Sequence, residues 1–171
     1  LKKQFAPDRR VALLDVDYAF SDKNVMLRGV TTSAEAKNAL LKELARKGYA
    51  VMDCLELLPD VKGLEGKTCG IINVSVANMR VAPDFSSEMM TQSLMGMPVR
   101  VLQRDGWVRI QTPDNYIAWV HRVGVHPVTE EEMAAWNKAE KIVVTAHYGF
   151  VYSEPNQTSQ TVSDVVAGNR L

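Results

Sequence analysis

The stretch "LMGMPVRVLQRDGWVRIQTPDNYIAWV", Leu94 to Val120, decides the fold of the middle of the chain. It holds three short runs rich in branched and aromatic residues. Asp105-Gly106 separates the first two and Asp114-Asn115 the next two. These dipeptides suit tight turns because Gly and Asn accept backbone angles that other residues resist. Short strands at regular spacing predict a small all-β barrel of about 55 residues. It is placed at residues 71–128, with "IINVSVANMR" as its opening strand.

Working toward the N-terminus, "DVKGLEGKTCG" has three glycines among polar residues and little periodicity, so 61–70 reads as a linker. Before it, "VALLDVDYAF", the turn "SDKN" and "VMLRGV" form a predicted hairpin. A helix follows. Thr32 as N-cap with Glu35 makes a capping box, Ala36, Leu40 and Leu44 share one face, and Gly48 ends it. "YAVMDCLELLP" returns as a strand ended by Pro59. The order strand, strand, helix, strand makes residues 8–60 an α+β unit with one helix on a small sheet.

Toward the C-terminus, Thr129 and Glu132 cap a connecting helix over 129–140, and "KIVVTAHYGFVY" restarts a strand. The segment Tyr148 to Leu171 lies without gaps over Val76 to Val99. This pairs Pro83 with Pro155, Ser87 with Ser159 and Gly96 with Gly168, and keeps polar and apolar positions in step. Residues 141–171 therefore read as a partial second copy of the middle module. The copy stops before its later strands, so the sequence looks like the front of a longer polypeptide or one whose missing strands come from elsewhere.

Composition narrows the function. The 171 residues are 46% hydrophobic and carry no formal net charge, with no long basic run. There is thus no electrostatic footprint for nucleic acid or an anionic membrane. No stretch is apolar enough to span a bilayer, and "LKKQFAPDRR" lacks a signal-peptide core, so the chain is cytoplasmic or already processed. Cys54 and Cys69 are too few for a zinc site or a disulfide framework, and are either bridged to each other or free thiols. His121, His126 and His147 have no partners at ligand spacing and read as ordinary loop or sheet residues, so no metal or other cofactor is expected.

The run from Val74 to Val120 resembles the bacterial SH3-like domain. The resemblance rests on "NMRVAP", the glycine before a Val-rich strand, the Gly-Trp hairpin and the closing Trp-Val. With a short α+β domain in front and a repeat behind, the chain is similar to the N-terminal region of NlpC-type cell-wall cysteine peptidases. These are gamma-D-glutamyl-L-diamino acid endopeptidases of the dipeptidyl-peptidase VI kind. The N-terminal unit is similar in element order to half of a BON domain.

The resemblance implies an α+β domain followed by one SH3-like barrel and an incomplete second. It implies substrate recognition without catalytic residues in this chain, the thiolate and histidine belonging to a following catalytic domain. Its partners would be that domain and peptidoglycan-derived peptides. Its location would be the periplasm or cell envelope, with the signal segment not part of this sequence. In family members acting on free peptides, an acidic residue and a tyrosine of the first SH3-like domain hold the substrate's free amino terminus. By motif position these are Glu88 and Tyr116.

The chemistry suits them, since a carboxylate pairs with an ammonium and a phenol supplies an oriented hydrogen bond. Arg80 and Trp119 are further candidates. Arg80 is expected chiefly to clamp a loop and Trp119 chiefly to pack in the core. Met89, Met90, Met95 and Met97 are expected to pack one domain against another. Asp53-Cys54 matches the first two residues of the family's nucleophile motif, but Leu55 and Glu56 continue an alternating strand, so a buried structural thiol is expected. A stand-alone envelope binding or adaptor module is the alternative, and a self-contained hydrolase using Cys54 a more remote one.

Overall fold

The computed structural model describes residues 1–171. A single helical turn, α1 (Lys2–Phe5), precedes β1 (Leu14–Ser21) and β2 (Asn24–Thr31), which pair as an antiparallel hairpin. Helix α2 (Ala34–Arg46) then crosses over to β3 (Ala50–Leu57), which lies parallel to β2 in a sheet of order β1-β2-β3. The N-cap of α2 is Ser33, whose Oγ accepts from Ala36 N at 3.0 Å, rather than Thr32. The Thr32 hydroxyl is already engaged: it accepts from Leu13 N at 3.0 Å and closes the end of the β1–β2 ladder. The helix therefore starts one residue later than the capping-box reading placed it.

The middle of the chain forms a seven-stranded sheet from β4 (Cys69–Ile72), β5 (Val76–Arg80), β6 (Met89–Leu94), β7 (Pro98–Asp105), β8 (Trp107–Gln111), β9 (Ile117–His121) and β10 (Val125–Val128). Their order is β10-β4-β7-β8-β9-β5-β6, so the sheet has two free ends and is an open, β-rich structure rather than a closed ring of pairs. The run expected as one strand, "IINVSVANMR", is two. It breaks after Asn73, whose N–H still bonds Gly124 O at the end of the β4–β10 pairing, and β4 and β5 end up on different neighbours. The two turns predicted from the opening stretch are present. Gly106 has φ +65° and Asn115 φ +69°, a left-handed angle that Asn tolerates better than most residues.

Inward residues of this sheet, among them Ile72, Met79, Val101, Val108, Ile110 and Val120, form one core of fully or almost fully buried side chains. Leu64, from the stretch read as a linker, joins the same core. β7 carries a bulge between Val101 and Gln103. Val101 faces the sheet's core and its neighbour Leu102 the opposite side, as adjacent strand residues do, and both are fully buried. Leu102 packs with Leu13, Leu58 and Ile117, joining the N-terminal unit to the sheet. Backbone bonds from Ile117 N to Arg10 O at 2.6 Å and from Asp60 N to Leu102 O at 3.0 Å tie the same seam.

Helix α3 (Glu130–Lys138) carries the predicted capping box: Thr129 Oγ1 accepts from Glu132 N, and Glu132 accepts from Thr129 N at 2.8 Å. After it, β11 (Tyr148–Tyr152) and β12 (Thr161–Val166) form a separate hairpin. Its register repeats that of β5–β6. Val76 opposite Leu94 answers to Tyr148 opposite Val166, Ala77 opposite Ser93 to Gly149 opposite Val165, and the bulge falls at the same place in each. The loops match as well. Ala82 N bonds the Ser87 hydroxyl as Glu154 N bonds that of Ser159, and Asp84 holds Ser86 as Asn156 holds Thr158.

Candidate ligand-binding site

The β5–β6 loop owes its shape to its own polar residues. Val81 N donates to Glu88 O at 3.0 Å across the loop's neck, and Asp84 Oδ1 accepts from Ser86 N at 2.7 Å and Ser86 Oγ at 2.9 Å. These two bonds hold the Asp84 carboxyl below its ordinary pKa. Arg80 donates from Nη1 to Ser87 O at 2.6 Å, which is the clamping role expected of it. The loop is thus built to fix the residue at its end, Glu88.

Glu88 is exposed and enters none of the ion pairs of the protein. It opens into a cavity of about 260 Å³ between the sheet and the N-terminal unit. Met90 and the β9 residues Ile117, Ala118 and Trp119 form the sheet side, and Leu13 and Asp15 the opposite wall. Val81, Arg9, Arg10 and Arg109 complete the lining. Five of the eleven lining residues are charged, Arg9, Arg10, Asp15, Glu88 and Arg109, and they surround an apolar patch of six.

Register explains the rest. Arg109 on β8 and Arg80 on β5 both stand opposite Trp119 on β9. Trp119 is half-buried, with the Arg109 guanidinium 5.2 Å from its ring centroid, so its place is on the outer face beneath a cation rather than in the sheet's core. Tyr116 does not line the cavity. Its ring lies 6.0 Å from the Arg10 guanidinium, which is itself gripped by Asp8 at 2.7 Å. Of the four candidates, then, the structure brings together Glu88 and Trp119, sets Tyr116 behind Arg10, and turns Arg80 to the loop.

Arg109, Asp15 and the Arg9–Arg10 pair were not anticipated as site residues. Arg109 had one signal, its place between Trp107 and Gln111 on the face of β8 opposite to buried Val108 and Ile110. The N-terminal residues had none, because the contact joins segments about a hundred positions apart in sequence.

A second group of rings, Phe85, Trp107 and His121, packs at centroid distances of 4.9 to 5.3 Å beside Arg80. His126 and His147 are exposed and stand outside both places. Cys54 is exposed on β3, not buried, because only one face of the three-stranded sheet is covered by α2. Its neighbour Asp53 pairs with Lys37 Nζ at 2.9 Å and accepts from Leu55 N, a structural arrangement. The four methionines divide. Met90 and Met97 pack on the middle core, Met95 is buried with its carbonyl accepting from Arg170 N, and Met89 is exposed.

No helix of the protein is long and apolar enough to cross a membrane. No curated protein matches the chain. Among solved structures, an NlpC/P60 endopeptidase from Photobacterium damselae subsp. piscicida is similar over 82% of this chain and 32% of its own, with 14% identity and a TM-score of 0.51. An NlpC/P60 family protein from Bacillus cereus ATCC 10987 is similar over 61% of this chain and 47% of its own, with 20% identity and a TM-score of 0.48. The chain thus spans less than half the length of either. The segment that holds Arg80, Glu88, Tyr116 and Trp119, residues 79–123, matches the model of the bacterial dipeptidyl-peptidase SH3 domain.

Proposed function

We propose that this chain is the substrate-recognition region of a cell-wall cysteine endopeptidase acting on peptidoglycan stem peptides, with Glu88 pairing with the free amino terminus. One observation carries the reading: the Glu88 carboxylate has no cationic partner, yet its loop is hydrogen-bonded into a fixed shape that points it at an apolar-floored cavity. A peptide ammonium supplies the missing counter-charge. Residues 8–60, 71–128 and 141–171 would be, in this reading, an α+β domain, a first SH3-like domain and part of a second, acting in the cell envelope beside a catalytic domain.

Calorimetric titration with a stem tripeptide in free and N-acetylated forms tests the role of Glu88. The free form should bind at least about tenfold more tightly, the equivalent of 1.4 kcal/mol. Glu88→Gln should erase that difference. Equal weakening of both forms by the substitution would sink the assignment. Binding without cleavage by the full gene product would instead favour a stand-alone envelope module.

A further inference from the structure

The N-terminal sheet ends on β3, which pairs with β2 alone and leaves its other edge free. At the two ends of that pairing Ala50 N bonds Lys23 O and Leu58 N bonds Thr31 O. The register between them is unbroken, so Ala50, Met52, Cys54 and Glu56 turn their backbone groups to β2, and Val51, Asp53, Leu55 and Leu57 turn theirs outward. A row of outward N–H and C=O groups is a template for another strand. Here it is closed at one point. Leu55 N donates to Asp53 Oδ1 at 3.0 Å, Leu55 O accepts from Lys37 Nζ, and Lys37 pairs with Asp53 at 2.9 Å. Both outward groups of Leu55 are thus occupied by a clamp reaching over from α2. Its side chains are only 22% and 29% exposed, which sets it apart from the solvated Glu43–Arg46 pair on the same helix.

We propose that the β3 edge is a strand-pairing surface for a second copy of this chain, and that the Lys37–Asp53 clamp keeps it shut. A second copy fits because β3 is complementary to itself. Antiparallel pairing about a two-fold axis at Cys54 sets Asp53 opposite the partner's Leu55 and Val51 opposite the partner's Leu57, with outward groups meeting outward groups in every pair. The Val51–Leu57 contact is apolar on both sides, and Leu57 is 44% exposed without it. Glu56 falls opposite the partner's Met52, so no charge faces a like charge. The exposed Cys54 thiols of the two copies meet at the axis. The two central pairs both need the Leu55 N–H and C=O, the groups that the clamp holds. Opening the clamp therefore opens the middle of the edge.

Sedimentation velocity and residue-resolved hydrogen exchange on the intact chain test this, with thermal melting as the check on folding. In wild type the outward amides of Val51, Asp53 and Leu57 should exchange fast at every protein concentration, and those of Met52, Cys54 and Glu56 slowly. Lys37→Met frees the Leu55 carbonyl and Asp53→Ala the Leu55 N–H, and each should tighten self-association by about tenfold or more. In the double variant the outward amides should become protected as concentration rises, and a short bifunctional maleimide should link two copies through Cys54. Adding Val51→Pro deletes an outward N–H that β2 does not use, and should return association to the wild-type level. Folded variants that associate no more than wild type would overturn the proposal. So would association that leaves the β3 amides unprotected, or a wild type whose outward amides are already protected.

Discussion

Asn169 is fully buried, and its Nδ2 donates to Ser75 O at 2.8 Å, fastening the C-terminal hairpin to the turn between β4 and β5. Its Oδ1 accepts from Val166 N at 2.9 Å, so both ends of the amide are in use. Asp164 adds a second link by accepting from Ser75 Oγ at 2.8 Å. Asn169→Ala removes both amide bonds, leaving the Ser75 carbonyl with only the longer bond from Met95 N at 3.3 Å, and should cost about 1–3 kcal/mol. Hydrogen exchange should rise across 148–166 and remain unchanged across 107–121. Unaltered exchange in the hairpin would mean that Asn169 does not hold it.

Gly96 guards the same junction from the other side. It has φ +82°, and a Cβ there would fall 2.3 Å from Arg170 O. Gly96→Ala therefore combines backbone strain with a backbone clash. It should raise exchange in the C-terminal hairpin at least as strongly as Asn169→Ala does. A variant with native exchange would show that the two segments separate freely.

How far the sequence revealed this architecture depends on the range of the interaction. Turns at Gly106 and Asn115, the Thr129 capping box and the repeated hairpin register are local and were readable. The choice of Ser33 over Thr32 was not, since both are good caps and a bond from Leu13 decides between them. Alternation along β3 gave the strand but could not tell that no layer covers Cys54. The same limit applies to the site. Glu88 could be placed by motif, whereas its cavity depends on Arg109 meeting Asp15 across the unit boundary.

Leu102 tests that boundary directly. It is fully buried among Leu13, Leu58 and Ile117, on the face of β7 opposite to Val101. Leu102→Ala should destabilise the protein by about 2–5 kcal/mol, the range for removing a buried leucine side chain. The exposed Arg9 and Arg10, whose segment is held by Ile117 N, should become faster sites of tryptic cleavage. Loss of stability without faster cleavage there would show that the N-terminal segment is held by other contacts.

The Lys37–Asp53 pair gives an acid-side prediction. Burial alone would raise the Asp53 carboxyl, but the bonds from Lys37 and from Leu55 N outweigh it, and its pKa is lowered. A carboxyl lowered on folding stabilises the protein fully above its unfolded pKa of about 3.9, and that contribution disappears as pH falls through the lower folded value. In urea titrations, wild type should exceed Asp53→Asn in stability at pH 6, with the gap closing below about pH 4. A gap that stays constant to pH 2 would exclude ionisation of Asp53 as its source.

The two thiols should differ in reactivity. Cys54 is exposed on β3, whereas Cys69 on β4 is partly buried. Burial first, and then the nearby Glu130 carboxylate, push the Cys69 thiol above its ordinary pKa. Alkylation requires the thiolate, so both access and ionisation slow Cys69. Iodoacetamide at pH 8 should modify Cys54 in a fast phase and Cys69 in a slow one, with Cys54→Ser removing only the fast phase. Glu130→Gln should accelerate the slow phase, because one of the two effects that disfavour the thiolate is gone. The reverse order of modification would contradict the placement of both residues.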